Sequence, residues 1–301
     1  MHAIRTCAWP RSPASCFPSR ALSMLFASVA LVACGGGGDS ATPPPRQAAP
    51  LPPAALVPAA PFGLTSSQSF AVLGWTRAPG ASEWSAIAAD TATFNWSATL
   101  GTYQLDLKDV GSGSLIYTYP GRNLLAFTLR QEDGSTVPLG ITVRDQIQAA
   151  GRLYWSPLDG ASLSEAIAAF GMAAAASDNP ASGTRHFVGT DSPEYAPTLD
   201  FDFDAGQLTG QVRIAWEDAW GPYPATTYDL SPASFDSTAN TFSATFTVPG
   251  APAQGSIHGM FMGPGAREVA ITWQSPIVDF YTLQWVTVRG VWLGSCTNCG
   301  S

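Results

Sequence analysis

From Phe70 onward the chain alternates apolar and polar positions with a period of two, the repeat of a half-buried β-strand. In the first half the alternating runs are Phe70 to Trp75, Thr91 to Trp96, Tyr103 to Lys108, Leu115 to Tyr119, Leu124 to Leu129, Gly140 to Val143 and Arg152 to Trp155. Gly111-Ser112-Gly113 and Asp133-Gly134 are the clearest turn signals between them, and short strands joined in this way predict antiparallel sheet. One segment breaks the period. Ser162-x-x-Glu165 has the form of a capping box, and Leu163, Ile167, Phe170 and Ala174 recur at helical spacing before Asp178-Asn179-Pro180 stops the run. The pattern predicts one alanine-rich helix, packed between two halves of the chain and ending the first domain.

The alternation resumes at Gly183 in eight candidate strands: Arg185 to Gly189, Thr198 to Phe203, Leu208 to Trp216, Thr226 to Leu230, Thr241 to Val248, Ser256 to Met262, Glu268 to Gln274 and Phe280 to Leu293. Eight hairpin-linked strands are enough to close a small up-and-down barrel with a side-chain-filled interior. The sixth and seventh form the most informative stretch. Ile257, Gly259, Phe261 and Gly263 share one face, and Ser256, His258, Met260 and Met262 the other. Glycine on a strand face lets a neighbouring strand or a bulky ring come close, and Gly263-Pro264-Gly265 reverses the chain.

This hairpin resembles the signature hairpin of the β-barrel domain in transferrin-binding protein B and related bacterial surface lipoproteins, G-x-F-Y-G-P-x-A-x-E-x-G-G. Gly259, Phe261, Gly263, Pro264, Ala266 and Glu268 fall on that pattern, with Met262 in place of the tyrosine and Ala270-Ile271 in place of the glycine pair. A second resemblance precedes it: the aspartate-rich strand Leu199-Asp200-Phe201-Asp202-Phe203-Asp204, followed by a glycine turn and another strand. The resemblance implies a mainly β protein with an antiparallel, sandwich-like handle domain carrying one helix (residues 62–182), followed by an eight-stranded up-and-down β-barrel (residues 183–301). It also implies surface display by a dedicated lipoprotein translocon, and capture of a host protein or of a haem or iron source through barrel and handle loops.

The amino terminus supplies the compartment. Arg5, Arg11 and Arg20 precede the apolar run Leu22 to Ala33, which is too short for a permanent membrane span, and residues 1–33 read as a signal peptide. Leu31-Val32-Ala33-Cys34 matches a bacterial lipobox, with Cys34 as the acylated first residue of the mature protein. Several acyl chains on one residue exceed what stable anchoring requires, so the chain is expected on a membrane. Gly35 in place of an aspartate favours the outer membrane. Residues 34–61, rich in Gly, Pro and Ala, cannot bury enough apolar surface to offset ordering entropy and read as a tether.

With Cys7 and Cys16 removed and Cys34 acylated, Cys296 and Cys299 remain, and in an oxidising compartment a small disulfide staple is preferred over a metal or redox site of the same spacing. A net charge of −8, more negative once the signal arginines leave, repels phosphate backbones and excludes a nucleic-acid partner. No nucleophile elbow, phosphate loop or His-x-x-x-His pair is present, so no catalytic residue, cofactor or metal site is assigned and the chain is read as a non-enzyme. Asp200, Asp202 and Asp204 read as the solvated face of a strand, Glu268 as a buried or rim hydrogen-bonding residue, and His258 as outward-facing. Trp216, Trp220 and Tyr223 crowd one connection of the second domain, where they either meet a partner or fold back to cap the barrel mouth. A periplasm-facing structural lipoprotein is the alternative to the binding protein.

Overall fold

The computed structural model describes residues 65–299, apart from 79–80, 88–91, 108–110, 121–123, 131–135, 143–149, 156–164, 191–196, 216, 219–220, 223–224, 237 and 239. Cys34, the signal segment and the tether lie outside the described residues. The described part is almost wholly β. Its first sheet contains β1 (Gln68–Arg77), β2 (Ser85–Ala86), β3 (Ala92–Ser97), β4 (Thr102–Leu107), β5 (Gly111–Pro120), β6 (Leu124–Arg130), β7 (Thr136–Thr142), β8 (Ala150–Trp155) and β9 (Glu165–Gly171). From β3 each strand pairs with the next, β1 pairs with β3, and β9 returns to pair with β1 along its length from Ala71↔Gly171 to Arg77↔Glu165. The sheet is therefore a closed barrel, where a sandwich-like handle was expected.

Among the described residues the expected helix is absent. Its second half is β9, which fills the last gap in the barrel between β8 and β1. Ala166, Ala168 and Phe170 enter the barrel interior, while Ile167 and Ala169 pack on its outer face. A strand buried on both faces has no polar side to reveal its period, so its apolar residues fit a helical template equally well. Tertiary closure decides between the two. Gly111-Ser112-Gly113 is likewise not a turn: it opens β5, with Gly113 paired to Leu105.

The second sheet follows a connector with a short 3₁₀ turn (Ala176–Asp178). It comprises β10 (Thr184–Gly189), β11 (Thr198–Asp202), β12 (Gln207–Ile214), β15 (Thr226–Asp229), β17 (Thr241–Phe246), β18 (Gly255–Met262), β19 (Glu268–Val278) and β20 (Trp285–Cys296), with β16 (Ala233–Ser234) beside the start of β12. A two-stranded hairpin, β13 (Glu217–Asp218) with β14 (Gly221–Pro222), stands in the connection between β12 and β15. The last strand pairs with the first through Phe187↔Cys296 and Val188↔Ser295, and Leu230↔Phe246 bridges β15 to β17. The order around the axis is thus the order in the chain, a nearly closed eight-stranded up-and-down barrel. The last strand differs most from expectation, because residues 279–284 form a turn and pairing begins at Trp285.

Aromatic rings fill the second barrel. Phe261 is fully buried, with ring centroids of Phe201 at 4.8 Å, Phe242 at 5.4 Å and Phe187 at 5.9 Å. Room for the rings comes from glycines paired directly across the sheet: Phe246 covers Gly255, Phe242 covers Gly259 and Trp273 covers Gly290. A methyl group at any of these glycines would overlap the ring. Beneath the cluster, Asn240 donates from Nδ2 to the Phe261 carbonyl at 3.0 Å.

The two barrels share a dry wall. Leu73, Ala150 and Ala169 of the first pack with Met262, Ala270, Val291 and Leu293 of the second. The connector adds backbone bonds, with the Gly263 N–H donating to the Met172 carbonyl at 2.7 Å and the Ala174 N–H to the Phe261 carbonyl at 3.1 Å. Met262 and Ala270, two departures from the family signature, stand in this wall.

If this packing holds the barrel, Gly259→Val should overpack against Phe242 and cost roughly 1 to 3 kcal/mol, whereas Phe261→Ala should open a cavity and cost about 3 to 5 kcal/mol. Denaturant melting of the purified chain measures both. A harmless Phe261→Ala would mean that the ring cluster is not the core.

Candidate functional site

An up-and-down barrel carries alternate connections at opposite ends, which sorts the second barrel into two rims. One rim holds the turn after β18, the start of β10 and the carboxyl end of β20. The other holds the carboxyl ends of β10, β12, β17 and β19 and the starts of β11, β15, β18 and β20, with residues 247–254 and 279–284.

The first rim contains much of what the sequence singled out, and its groups are engaged in holding the barrel. Gly263 and Gly265 take φ of 73° and 69°, the left-handed values this tight turn requires, with Ala266 at 48°. The Arg185 guanidinium donates to the carbonyls of Gly265 and Ala266, and Glu268 is buried. Cys296 and Cys299 are joined by a disulfide. The short loop they close clamps β10: the Thr297 N–H donates to the His186 carbonyl at 2.8 Å, and Asn298 accepts from the His186 N–H at 2.8 Å. His186 Nδ1 lies 2.7 Å from an Asp200 carboxyl oxygen. Asp202 accepts the N–H groups of Asp204 and Ala205, and Asp204 accepts that of Gly183. The three aspartates therefore shape turns and pair with His186 and do not converge on a common point. His258 is exposed on the outer wall.

The opposite rim is different in kind. At the tip of the β19–β20 hairpin Phe280 is 69% exposed, Tyr281 56% and Leu283 75%, with Val278 and Trp285 partly exposed beside them. Exposed apolar side chains are common singly, but a contiguous group on one hairpin marks a contact surface. The tip is held in shape from below. The buried Asp279 carboxylate accepts the N–H of Tyr281 at 2.8 Å and of Thr282 at 2.9 Å, while its backbone bonds to Leu283 and Gln284. The Thr282 N–H, then that of Tyr281 and the Thr282 hydroxyl, hold the Asp279 carboxyl below its ordinary value against the opposing effect of burial. Leu283 has φ of 53°, a conformation costly for a side chain of its size, so the backbone is strained at the residue whose side chain is most exposed.

Beside the tip runs a groove of about 850 Å³, within the roughly 300–1,000 Å³ usual for binding sites. It is lined by the whole of β15 and by Ile214, Val248, Pro249, Pro276, Ile277 and Trp285. Among the described residues Asp229 is the only charged one that lines it, and that carboxylate accepts from Gln211 Nε2 at 2.8 Å. Trp216, Trp220 and Tyr223 lie outside the described residues, but their connection leaves from Ile214 and returns at Thr226, both on the edge of this groove. Sequence alternation missed Phe280, Tyr281, Leu283 and Trp285 by absorbing them into the last strand. The available signal was Asp279, which favours turns through side-chain bonds to the next backbone N–H groups.

No protein-family model and no curated protein matches the sequence. Solved structures do show similarity in fold. A mutant transferrin-binding protein B from Haemophilus parasuis is 15% identical, with a TM-score of 0.46 over 75% of this chain and 45% of its own. Isotype 1 transferrin-binding protein B from Neisseria meningitidis is 12% identical, with a TM-score of 0.44 over 76% of this chain and 44% of its own. The N-lobe domain of lactoferrin-binding protein B from Moraxella bovis is also 12% identical, covered over its full length and 77% of this chain at a TM-score of 0.29. This chain spans under half the length of the two transferrin-binding structures.

The Asp279 geometry gives a pH prediction. A carboxylate whose folded pKa lies below its unfolded value contributes stability that is complete above the unfolded value, about 3.9, and is lost as pH falls through the folded one. The tip should therefore loosen below roughly pH 4. Asp279→Ala should loosen it at neutral pH, seen as faster amide exchange at Tyr281 and Thr282 with the barrel strands still protected. Unchanged exchange in the variant would rule out the carboxylate as the tip's support.

Proposed function

We propose that this chain is a lipid-anchored bacterial outer-membrane protein, displayed at the cell surface, that binds a partner protein through the apolar rim of its second barrel and carries out no catalysis. The observation that carries this reading is the β19–β20 tip: Phe280, Tyr281 and Leu283 stand in water on a strained backbone that a buried carboxylate holds in place. Such an arrangement lowers the entropy lost on binding by presenting rigid apolar anchors, the usual make-up of interface hot spots. Charge favours a protein over a lipid surface as the occupant. From Pro276 to Val288 there is no lysine or arginine, and the chain is net acidic, whereas interfacial helices and loops that bind anionic lipid rely on basic residues. The signature hairpin implies a host protein as the partner class. The lipobox at Cys34 supports the anchor, and the tether carries the barrels away from the membrane.

Leu283→Gly separates function from folding. Glycine relieves the strain at φ 53°, so melting should hold or rise, while capture of a host plasma protein by the full chain should weaken by at least about tenfold, the scale of losing one hot-spot side chain. Phe280→Ser should weaken capture similarly with melting unchanged. Undiminished capture in both variants would remove the tip from the partner surface.

The location has its own test. Cys34→Ser should abolish incorporation of labelled palmitate, and protease added to intact cells should strip the parent protein. Labelling that survives the substitution refutes the acylation site. Full protection of the parent, with a periplasmic control also intact, refutes surface display.

A further inference from the structure

The seam between β15 and β17 is closed at only one end. Leu230 bridges Phe246, and the Ser231 N–H donates to the Thr245 carbonyl at 2.8 Å. From there towards Thr226 no strand pair crosses the seam among the described residues. The direction of the free groups follows from the register. Leu230 donates to Gly210, and bonded pairs alternate along an antiparallel ladder, so Tyr228 and Thr226 bond to β12. Thr227 and Asp229 therefore turn their N–H groups away from β12 and into the seam. The seam opens directly into the groove beside the hairpin tip, which is lined by every residue from Thr226 to Ser231.

We propose that this edge takes an extended segment of the partner protein as an added β-strand, paired to β15 within the groove. The inference rests on the binding reading above and names the form in which the partner engages. Unpaired strand edges template strand addition, and main-chain bonds then supply affinity while alternate side chains supply specificity. The edge is four residues long, about 14 Å at roughly 3.4 Å per residue, which suits a short peptide strand. The charge of the lining defines the occupant further. Asp229 is exposed and, among the described lining residues, is the one charge amid apolar and hydroxyl-bearing neighbours. The segment is thus apolar at alternate positions, free of acidic residues, and best with one lysine or arginine opposite Asp229. A compact ligand would fill the groove yet leave the Thr227 and Asp229 amides unpaired.

The test uses the full chain and a library of fluorescein-labelled synthetic octapeptides that alternate apolar with neutral polar residues and carry one arginine. Each peptide is made in parent form and with every second backbone nitrogen methylated along one edge or the other. Saturable binding by a subset is expected, falling by at least about tenfold when the pairing edge is methylated and little when the other edge is. Thr227→Pro should cause a similar loss with melting unchanged, since proline is tolerated where an edge N–H faces away from its own sheet. If that variant does not fold, amide exchange on the parent protein decides: bound peptide should protect Thr227 and Asp229. Absence of saturable binding, indifference to methylation on both edges, or peptide binding with both amides unprotected would each overturn the added strand. So would a dimer of the chain that Thr227→Pro converts to monomer, because a second copy would then own the edge. The two readings fail separately. Loss of plasma capture in Leu283→Gly with no peptide binding sinks the strand and leaves the tip, and the converse sinks the tip alone.

Discussion

Strands β9 and β19 and the middle of β20 are buried on both faces, and the architecture depends on that double burial. Each has its own barrel core on one side and the wall between the barrels on the other, so Ala169, Ala270, Val291 and Leu293 are as dry as the rings inside. A wall of small and branched side chains lets two curved sheets approach closely, where larger side chains would hold them apart. Arg289 borders the wall with its guanidinium 5.4 Å from the Trp75 ring centre, an arrangement that joins the barrels at a wetter margin.

The wall accounts for two of the three places where the β18–β19 hairpin differs from the pattern it resembles; the third, Ile271, lies in the barrel core. Gly259 and Phe261 point into the barrel, where the ring needs its glycine neighbours, and they keep the pattern. Met262 and Ala270 point outward into the wall, where their fit to Leu73, Ala150 and Ala169 governs, and they depart from it. The hairpin is structural. Its turn lies at the rim where Arg185, the disulfide loop and the connector join the barrel, and the exposed apolar tip lies at the other.

That separation of rims divides the groups that hold the barrel from the apolar ones left exposed. Groups at the first rim are hydrogen-bonded to one another across sequence distance. At the second, Leu283 carries unfavourable backbone geometry, Phe280 and Tyr281 stand in water, and among the described residues no strand pairs with the seam edge of β15. Such features cost a barrel stability that their removal would restore.

Alternation alone determined the eight strands of the second barrel and seven of the eight that close the first, because a strand with one wet face writes its period into neighbouring residues. The sequence also determined the inward set Ile257, Gly259 and Phe261. What it left undecided are features whose cause lies far along the chain. β9 reads as a helix until the core of the first barrel and the wall of the second cover its two faces. Closure of the first sheet depends on pairing Ala71 with Gly171, across almost the whole domain. Residues 279–284 read as strand because their apolar side chains fit the pattern, and only the partners of Asp279 turn the backbone there. Whether an apolar residue lies in a core or in water is a property of what packs over it, and over Phe280 and Leu283 no described residue does.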